Sequence, residues 1–167
     1  MTTGNEPMLK THNDLAENTR GAAINLLQAR LADAIDLATQ TKQAHWNVKG
    51  PHFIGLHELF DKVHGHVDEA VDLIAERLVA LGGIAEGTAK VVAKRSKLPE
   101  YPLDILAGTD HVAALSKSLA AFGKGIRKAI DEADEAGDQD TADLFTEISR
   151  QADQDLWMVE AHLQADS

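Results

Sequence analysis

The segment that decides the fold is residues 53–81, FIGLHELFDKVHGHVDEAVDLIAERLVAL. Its apolar residues recur every three or four positions, which is the period of one face of an α-helix. Two glycines, Gly82 and Gly83, follow directly and are typical of a helix end. The segment therefore predicts one long amphipathic helix. Its buried face is expected to carry Leu56, Phe60, Val63, Val67, Val71, Ile74, Leu78 and Leu81.

A second stripe of the same helix carries metal-ligand side chains: His57, Asp61, Asp72 and Glu76. At 100° per residue all four lie within about 100° of one another. His57 and Asp61 are four residues apart, and so are Asp72 and Glu76. This spacing lets the two side chains of a pair meet at one ion. The two pairs cannot share a metal within one helix, because Asp61 and Asp72 are roughly 16 Å apart along the axis and metal–ligand bonds are only about 2 Å long.

Two-fold symmetry removes this conflict. The midpoint between His57 and Glu76 coincides with that between Asp61 and Asp72, close to His66. If two copies of the helix cross antiparallel there, His57 and Asp61 of one copy face Asp72 and Glu76 of the other, and an isologous interface forms two such sites. A stripe of acidic residues is also typical of a solvated face. Spacing alone leaves both interpretations open.

The rest of the chain predicts three more long helices. They cover about 19–48, 109–137 and 139–163, with Thr109 and Asp110 capping the third helix. The links between helices one and two and between three and four are short, whereas residues 84–108 form a long crossover with a short helix in it. This pattern predicts an all-α, ferritin-like four-helix bundle. The domain is expected to span 18–164, with flexible tails at 1–17 and 165–167.

Composition narrows the chemistry. The net charge is −11, aromatic residues are 4%, and there is no cysteine, so disulfides and thiolate metal sites are excluded and any metal must use nitrogen and oxygen ligands. There is no secretory signal pattern at the N-terminus and no apolar run of about 20 residues. We therefore expect a cytoplasmic protein with no membrane association. The acidic balance suits a protein that attracts cations.

A fifth metal-ligand side chain, His45, lies near the end of the first helix, twelve residues before His57. A turn at Gly50-Pro51 folds the first helix back on the second, which can bring the two imidazoles together. The set then contains two histidines and three carboxylates. Mixed ligands of this kind suit iron, manganese or zinc.

The segment 42–51, KQAHWNVKGP, together with Phe53-Ile54 and the His57, Asp61, Asp72 and Glu76 positions, resembles the Dps family, the DNA-binding proteins from starved cells. The resemblance continues to Leu156-Trp157 and covers nearly the whole chain after the tail. It implies a hollow homododecamer with an iron-oxidation site, holding two irons, between two-fold-related subunits. The implied ligands are His45, His57 and Asp61 of one chain with Asp72 and Glu76 of its partner. The chain lacks the Glu-x-x-His pair of a di-iron site within one bundle.

The resemblance also implies a function. The protein is expected to be a ferroxidase that oxidises Fe²⁺, preferably with hydrogen peroxide, and stores Fe³⁺ as mineral, protecting against oxidative stress. The alternative is a nucleoid protein that compacts DNA and has secondary iron chemistry. A third hypothesis, a purely structural assembly, is disfavoured by the complete ligand set.

Several other residues have two alternative roles. Trp46, next to His45, is either an electron donor to the site or a packing residue, and Trp157 is expected in the core. His66 and Asp68 near the axis form either an accessory metal site or interface hydrogen bonds. The acidic residues at the start of the fourth helix have two interpretations. They favour the helix dipole, or, as the resemblance implies, they line a three-fold pore that attracts cations. The pore role is assigned first to Asp140 and Asp143 and second to Asp138 and Glu147.

DNA binding is expected to be weak or absent. The first twenty residues hold only two basic residues, Lys10 and Arg20, and the last seven hold none. The one basic cluster comprises Lys90, Lys94, Arg95 and Lys97 on the crossover. Twelve chains of charge −11 carry roughly −130 in total, which repels duplex phosphates. Nucleoid association is left open beside the cytoplasmic location.

Overall fold

The computed structural model describes residues 8–165, and within them the chain is all-helical. The elements are α1 (Glu17–Asn47), α2 (Phe53–Ala80), α3 (Ala89–Arg95), α4 (Gly108–Glu135), α5 (Gln139–Glu160) and a 3₁₀ turn (Ala161–Leu163). The all-α bundle and the short helix in the crossover are confirmed. Parts of both predicted tails, residues 1–7 and 166–167, lie outside the described residues, and the mobility of the tails stays a prediction.

Two helical hairpins, α1–α2 and α4–α5, pack against each other around one apolar core. The predicted apolar face of α2 is buried, apart from Val71, which is half-buried. Phe60 of α2, Phe122 of α4 and Phe145 of α5 are among the largest fully buried side chains. This core fixes which stripe of α2 is left for other contacts. Within residues 8–165, no helix is long and apolar enough to cross a membrane.

The chain turns at glycine just before and just after α2. Gly50 has φ of 115° and accepts a 3.1 Å hydrogen bond from the Phe53 backbone, so the chain reverses within a few residues. Gly82 ends α2 with φ of 94° and accepts a 2.8 Å bond from the Leu9 backbone. A Cβ atom on Gly82 would lie 2.7 Å from the Leu9 carbonyl oxygen. Both positions require glycine, for conformation and at Gly82 also for space.

Two sequence predictions about the second hairpin are wrong. Helix α4 begins at Gly108 after Ala107, with no side-chain cap from Thr109 or Asp110. The chain enters α4 directly after a main-chain contact, in which the Lys49 N–H donates to the Leu106 carbonyl at 2.8 Å. Trp157 is 61% exposed and not in the core.

A buried pair holds the end of the crossover on α4. The Tyr101 hydroxyl lies 2.7 Å from Nδ1 of His111, and both residues are buried. Burial raises the pKa of Tyr101 and lowers the pKa of His111, so both side chains are neutral near pH 7. A neutral pair leaves no charge to stabilise inside the bundle.

Candidate metal centre

His45 and His57 are brought together by the α1–α2 turn, as their spacing predicts. Their rings stack with centroids 3.7 Å apart and planes inclined by 20°. Nδ1 of His45 lies 2.7 Å from the His57 carbonyl oxygen, and Nδ1 of His57 lies 2.8 Å from the His45 carbonyl oxygen. Each imidazole therefore donates to the backbone of the other residue.

These reciprocal bonds assign the tautomer of both rings. A carbonyl oxygen only accepts, so Nδ1 of each ring must carry the proton. Nε2 of each ring then keeps its lone pair and is free to bind a metal. A backbone bond on the far nitrogen is the usual way in which proteins orient a metal-binding histidine. Both rings are thus prepared as ligands before any ion arrives.

Asp61 lies beside this pair and is held by a cation. The Lys42 ammonium, one turn before His45 on α1, forms an ion pair with the Asp61 carboxylate. The hydrogen bond from Lys42, with further help from the Lys42 charge, lowers the pKa of Asp61. Asp61 therefore stays a carboxylate to a lower pH than an ordinary aspartate. Any metal that binds Asp61 must compete with Lys42.

The other two predicted ligands are not brought to this point within one chain. Asp72 and Glu76 are exposed on the same side of α2, several turns further along. Among residues 8–165, no three histidine or acidic side chains converge closely enough to hold a metal. One chain thus stacks His45 on His57, carries Asp61 one helical turn after His57, and presents Asp72 and Glu76 separately.

A wide surface groove lies between α1, α2 and the crossover, and we call it the α1–α2 groove. It encloses about 1240 Å³. Trp46 lines it and is 64% exposed, so it does not pack into the core of its own chain. Further lining residues are Lys42, His64, Asp68, Val71, Leu98 and Tyr101.

Comparison with known proteins identifies the family. Residues 24–167 match the family model of the ferritin-like domain. The chain is 50% identical over 158 residues to the DNA protection during starvation protein of Agrobacterium fabrum, covering 95% of this chain and 98% of the relative. The chain belongs to the Dps family.

Solved structures agree with this assignment. The structure superposes on DpsC from Streptomyces coelicolor with a TM-score of 0.91 at 29% identity, covering 96% of this chain and 94% of that one. It also superposes on a Dps from Microbacterium arborescens in a high-iron form, with a TM-score of 0.84 at 33% identity and coverage of 90% and 97%. Membership in the Dps family supports a general role in iron storage or DNA protection.

The histidine that this Dps-family chain places in the α1–α2 groove is His64, not His66. His66 lies on the other side of α2, where its Nδ1 is 2.8 Å from Oδ1 of buried Asp155 on α5. Burial raises the pKa of Asp155, and the bond to His66 opposes that rise. The pairing of His66 with Asp68 at the axis is therefore wrong. Helical angles reveal the error, since position 66 is about 180° from His57 and position 64 only about 20°.

The acidic residues at the start of α5 separate into two groups. Asp138 is 1% exposed, caps the helix by accepting from the Thr141 backbone at 3.0 Å, and pairs with Arg77 at 2.8 Å. The assignment of Asp138 to a pore is wrong, because its carboxylate is buried and already bonded inside the bundle. Asp140 and Asp143 are exposed and, like Glu147, remain available for a pore.

Proposed function

We propose that this Dps-family protein is a ferroxidase and iron store, with its reaction centre at a two-fold interface between chains. The observation that carries the proposal is the stacked pair of His45 and His57, whose Nδ1 atoms are both bonded to backbone carbonyls. This arrangement leaves two Nε2 lone pairs beside the Asp61 carboxylate. Such preparation has no use on a merely solvated face.

The second half of the centre comes from another copy of the chain. Asp72 and Glu76 mirror His57 and Asp61 about a point near His66, so an antiparallel pair of α2 helices completes two equivalent sites. The exposure of all three carboxylates in the single chain supports this arrangement. In the assembly, His57 and Asp61 anchor one iron and Glu76 bridges. His45 and Asp72 serve the second iron.

The ligand set favours oxidation of bound Fe²⁺. Three carboxylates stabilise Fe³⁺ more than Fe²⁺, because the attraction grows with the charge of the ion. Two Fe²⁺ ions together supply the two electrons that convert one hydrogen peroxide and two protons to two waters. This stoichiometry avoids the one-electron reduction that releases hydroxyl radical. Trp46, which follows His45 in the sequence and lines the α1–α2 groove, is the candidate donor when only one iron is bound.

Storage requires a closed shell and a route inward. We propose a cytoplasmic homododecamer in which Asp140 and Asp143 line a pore that draws in Fe²⁺. The shell collects Fe³⁺ as mineral. Purified protein should form a discrete oligomer, and it should oxidise Fe²⁺ when peroxide is added without oxygen. A rate no higher than that of buffer would overturn the proposal.

The Agrobacterium fabrum relative is a DNA protection during starvation protein, which makes DNA protection the second candidate function. Direct DNA binding is disfavoured by charge. In the one basic cluster, Arg95 is paired with Glu86, and an assembly of twelve chains is strongly negative. We expect no shift of plasmid DNA in a gel at ~150 mM salt. A shift at that salt concentration would restore the DNA-binding alternative.

Lys42 is expected to compete with iron for Asp61. Replacing Lys42 with methionine removes the ammonium and should raise affinity for the first Fe²⁺ about two- to fivefold, the range expected when an exposed ion pair is lost. The control is Lys117→Met on the exposed side of α4. Anaerobic titration calorimetry measures both affinities. Equal or weaker binding by Lys42→Met would show that the ammonium does not oppose the metal.

A further inference from the structure

The α1–α2 groove contains a third histidine with a backbone-bonded Nδ1, and this residue lies outside the five-ligand set. Nδ1 of His64 lies 3.1 Å from the Ala38 carbonyl oxygen, so this nitrogen carries the proton and donates. Nε2 of His64 is left with its lone pair, as in His45 and His57. His45, His57 and His64 are therefore all oriented in the same way, by a hydrogen bond from Nδ1 to a backbone carbonyl.

A carboxylate accompanies this histidine. Asp68 follows His64 by four residues, is exposed, and lines the same groove. Side chains four residues apart on a helix can meet at one ion. Two ligands are too few for a stable site, so the chain by itself provides half of one.

The symmetry proposed for iron oxidation supplies the other half, and the inference rests on that proposed dimer. His64 lies two to three residues before the axis point on α2, and Asp68 lies one to two residues after it. When α2 crosses its own copy antiparallel, His64 of one chain and Asp68 of the other differ by only about 1.5 Å in their position along the helix direction. Gly65 between them has no side chain, and nothing lies within 4 Å of where its Cβ would be. The helices can therefore approach closely at this point.

Charge at the axis calls for a cation. The two Asp68 positions would be offset by only about 4.5 Å along the helix direction. Two carboxylates that face each other across the axis repel. Lys42, a cation in the same groove, already pairs with Asp61. A divalent ion between the two copies would remove the repulsion and satisfy both Nε2 atoms.

We propose that His64 and Asp68 from two copies bind one Zn²⁺ ion on the two-fold axis. Two imidazoles and two carboxylates supply four ligands of types that zinc accepts, and four-coordinate tetrahedral geometry is typical of structural zinc. The site lies about 11 Å along α2 from each iron-oxidation centre, too far to share a ligand. The ion joins two subunits and does not enter the oxidation reaction.

Cobalt reports this site because tetrahedral Co²⁺ absorbs visible light strongly. The full-length His57→Ala protein, in which iron-site binding is weakened, is stripped with a chelator and titrated with Co²⁺. We expect tetrahedral absorption bands that saturate at one ion per two chains. Adding His64→Gln or Asp68→Asn to this background should abolish the bands, and Zn²⁺ should displace Co²⁺ from the His57→Ala protein.

The outcomes separate this inference from the proposed function. Bands that persist in both added variants, or that never appear in an assembled protein, overturn the zinc site and leave the iron chemistry intact. Sedimentation of the wild-type protein as a monomer would overturn the dimer, and with it both proposals. Circular dichroism confirms that each variant keeps its helical content, so that lost absorption reports lost binding.

Discussion

Replacing His57 and Asp61 together with alanine is expected to lower the rate of peroxide-dependent Fe²⁺ oxidation at least about 100-fold. Loss of an outer partner of a metal ligand already costs 10- to 100-fold in affinity or activity, and this change removes two ligands themselves. Anaerobic stopped-flow absorbance after addition of peroxide measures the rate. The fold should survive, because Asp61 is exposed and His57 is only half-buried.

A matched control removes the same side-chain types elsewhere. His12 and Asp14 are both exposed before α1, outside the α1–α2 groove. The His12→Ala plus Asp14→Ala protein should oxidise iron at the wild-type rate. If the two double variants retain equal activity, His57 and Asp61 do not form the reaction centre.

Replacing Arg77 with alanine is expected to lower the free energy of unfolding by about 3–5 kcal/mol, the usual cost of leaving one member of a buried ion pair without its partner. Arg77 joins α2 to α5 through a 2.8 Å ion pair with Asp138 and a 3.0 Å hydrogen bond to the Thr141 hydroxyl. Asp138 is buried and also caps α5. Its carboxylate would keep the cap but lose its counter-charge. Urea denaturation followed by circular dichroism measures the change, provided that unfolding is reversible.

The chain offers an exposed pair of equal length as the control. Arg127 and Asp153 also form a 2.8 Å ion pair, but both side chains are more than half exposed. Arg127→Ala should therefore cost about 1 kcal/mol or less. Equal losses of unfolding free energy for Arg77→Ala and Arg127→Ala would mean that burial of Asp138 does not determine the strength of its interaction with Arg77.

The sequence predicted the helices and the meeting of His45 and His57 because both follow from local rules. Apolar periodicity identifies α2, and glycine identifies its ends. A twelve-residue spacing across a tight turn returns the chain to the same level of a hairpin. These features depend on residues that are close in sequence, so no tertiary information is needed to find them.

The errors arise where a distant residue competes for a polar side chain. Position along the helix places His66 near the axis, but Asp155, eighty-nine residues later, binds its Nδ1. The acidic start of α5 favours a pore role for Asp138, but Arg77 on α2 pairs with Asp138 inside the bundle. Nothing in the sequence indicates a partner for Lys42, because its ion pair with Asp61 depends on how α1 packs on α2. Such pairings become visible only when the helices are placed side by side.

Mixed assemblies test the central claim, that the reaction centre is shared between chains. His57→Ala and Glu76→Ala subunits are each inactive alone, because each removes one side of both sites. When the two are co-assembled in equal amounts, half of the dimers are mixed, and each mixed dimer holds one intact site. We expect recovery of about a quarter of wild-type Fe²⁺ oxidation.

The control mixture combines His57→Ala with Asp61→Ala, which damage the same side of the centre. No pairing of these chains produces an intact site, so its activity should stay at the level of the separate variants. Recovery in the first mixture but not in the control would support a shared centre. No recovery in a verified mixed assembly of His57→Ala and Glu76→Ala would contradict it.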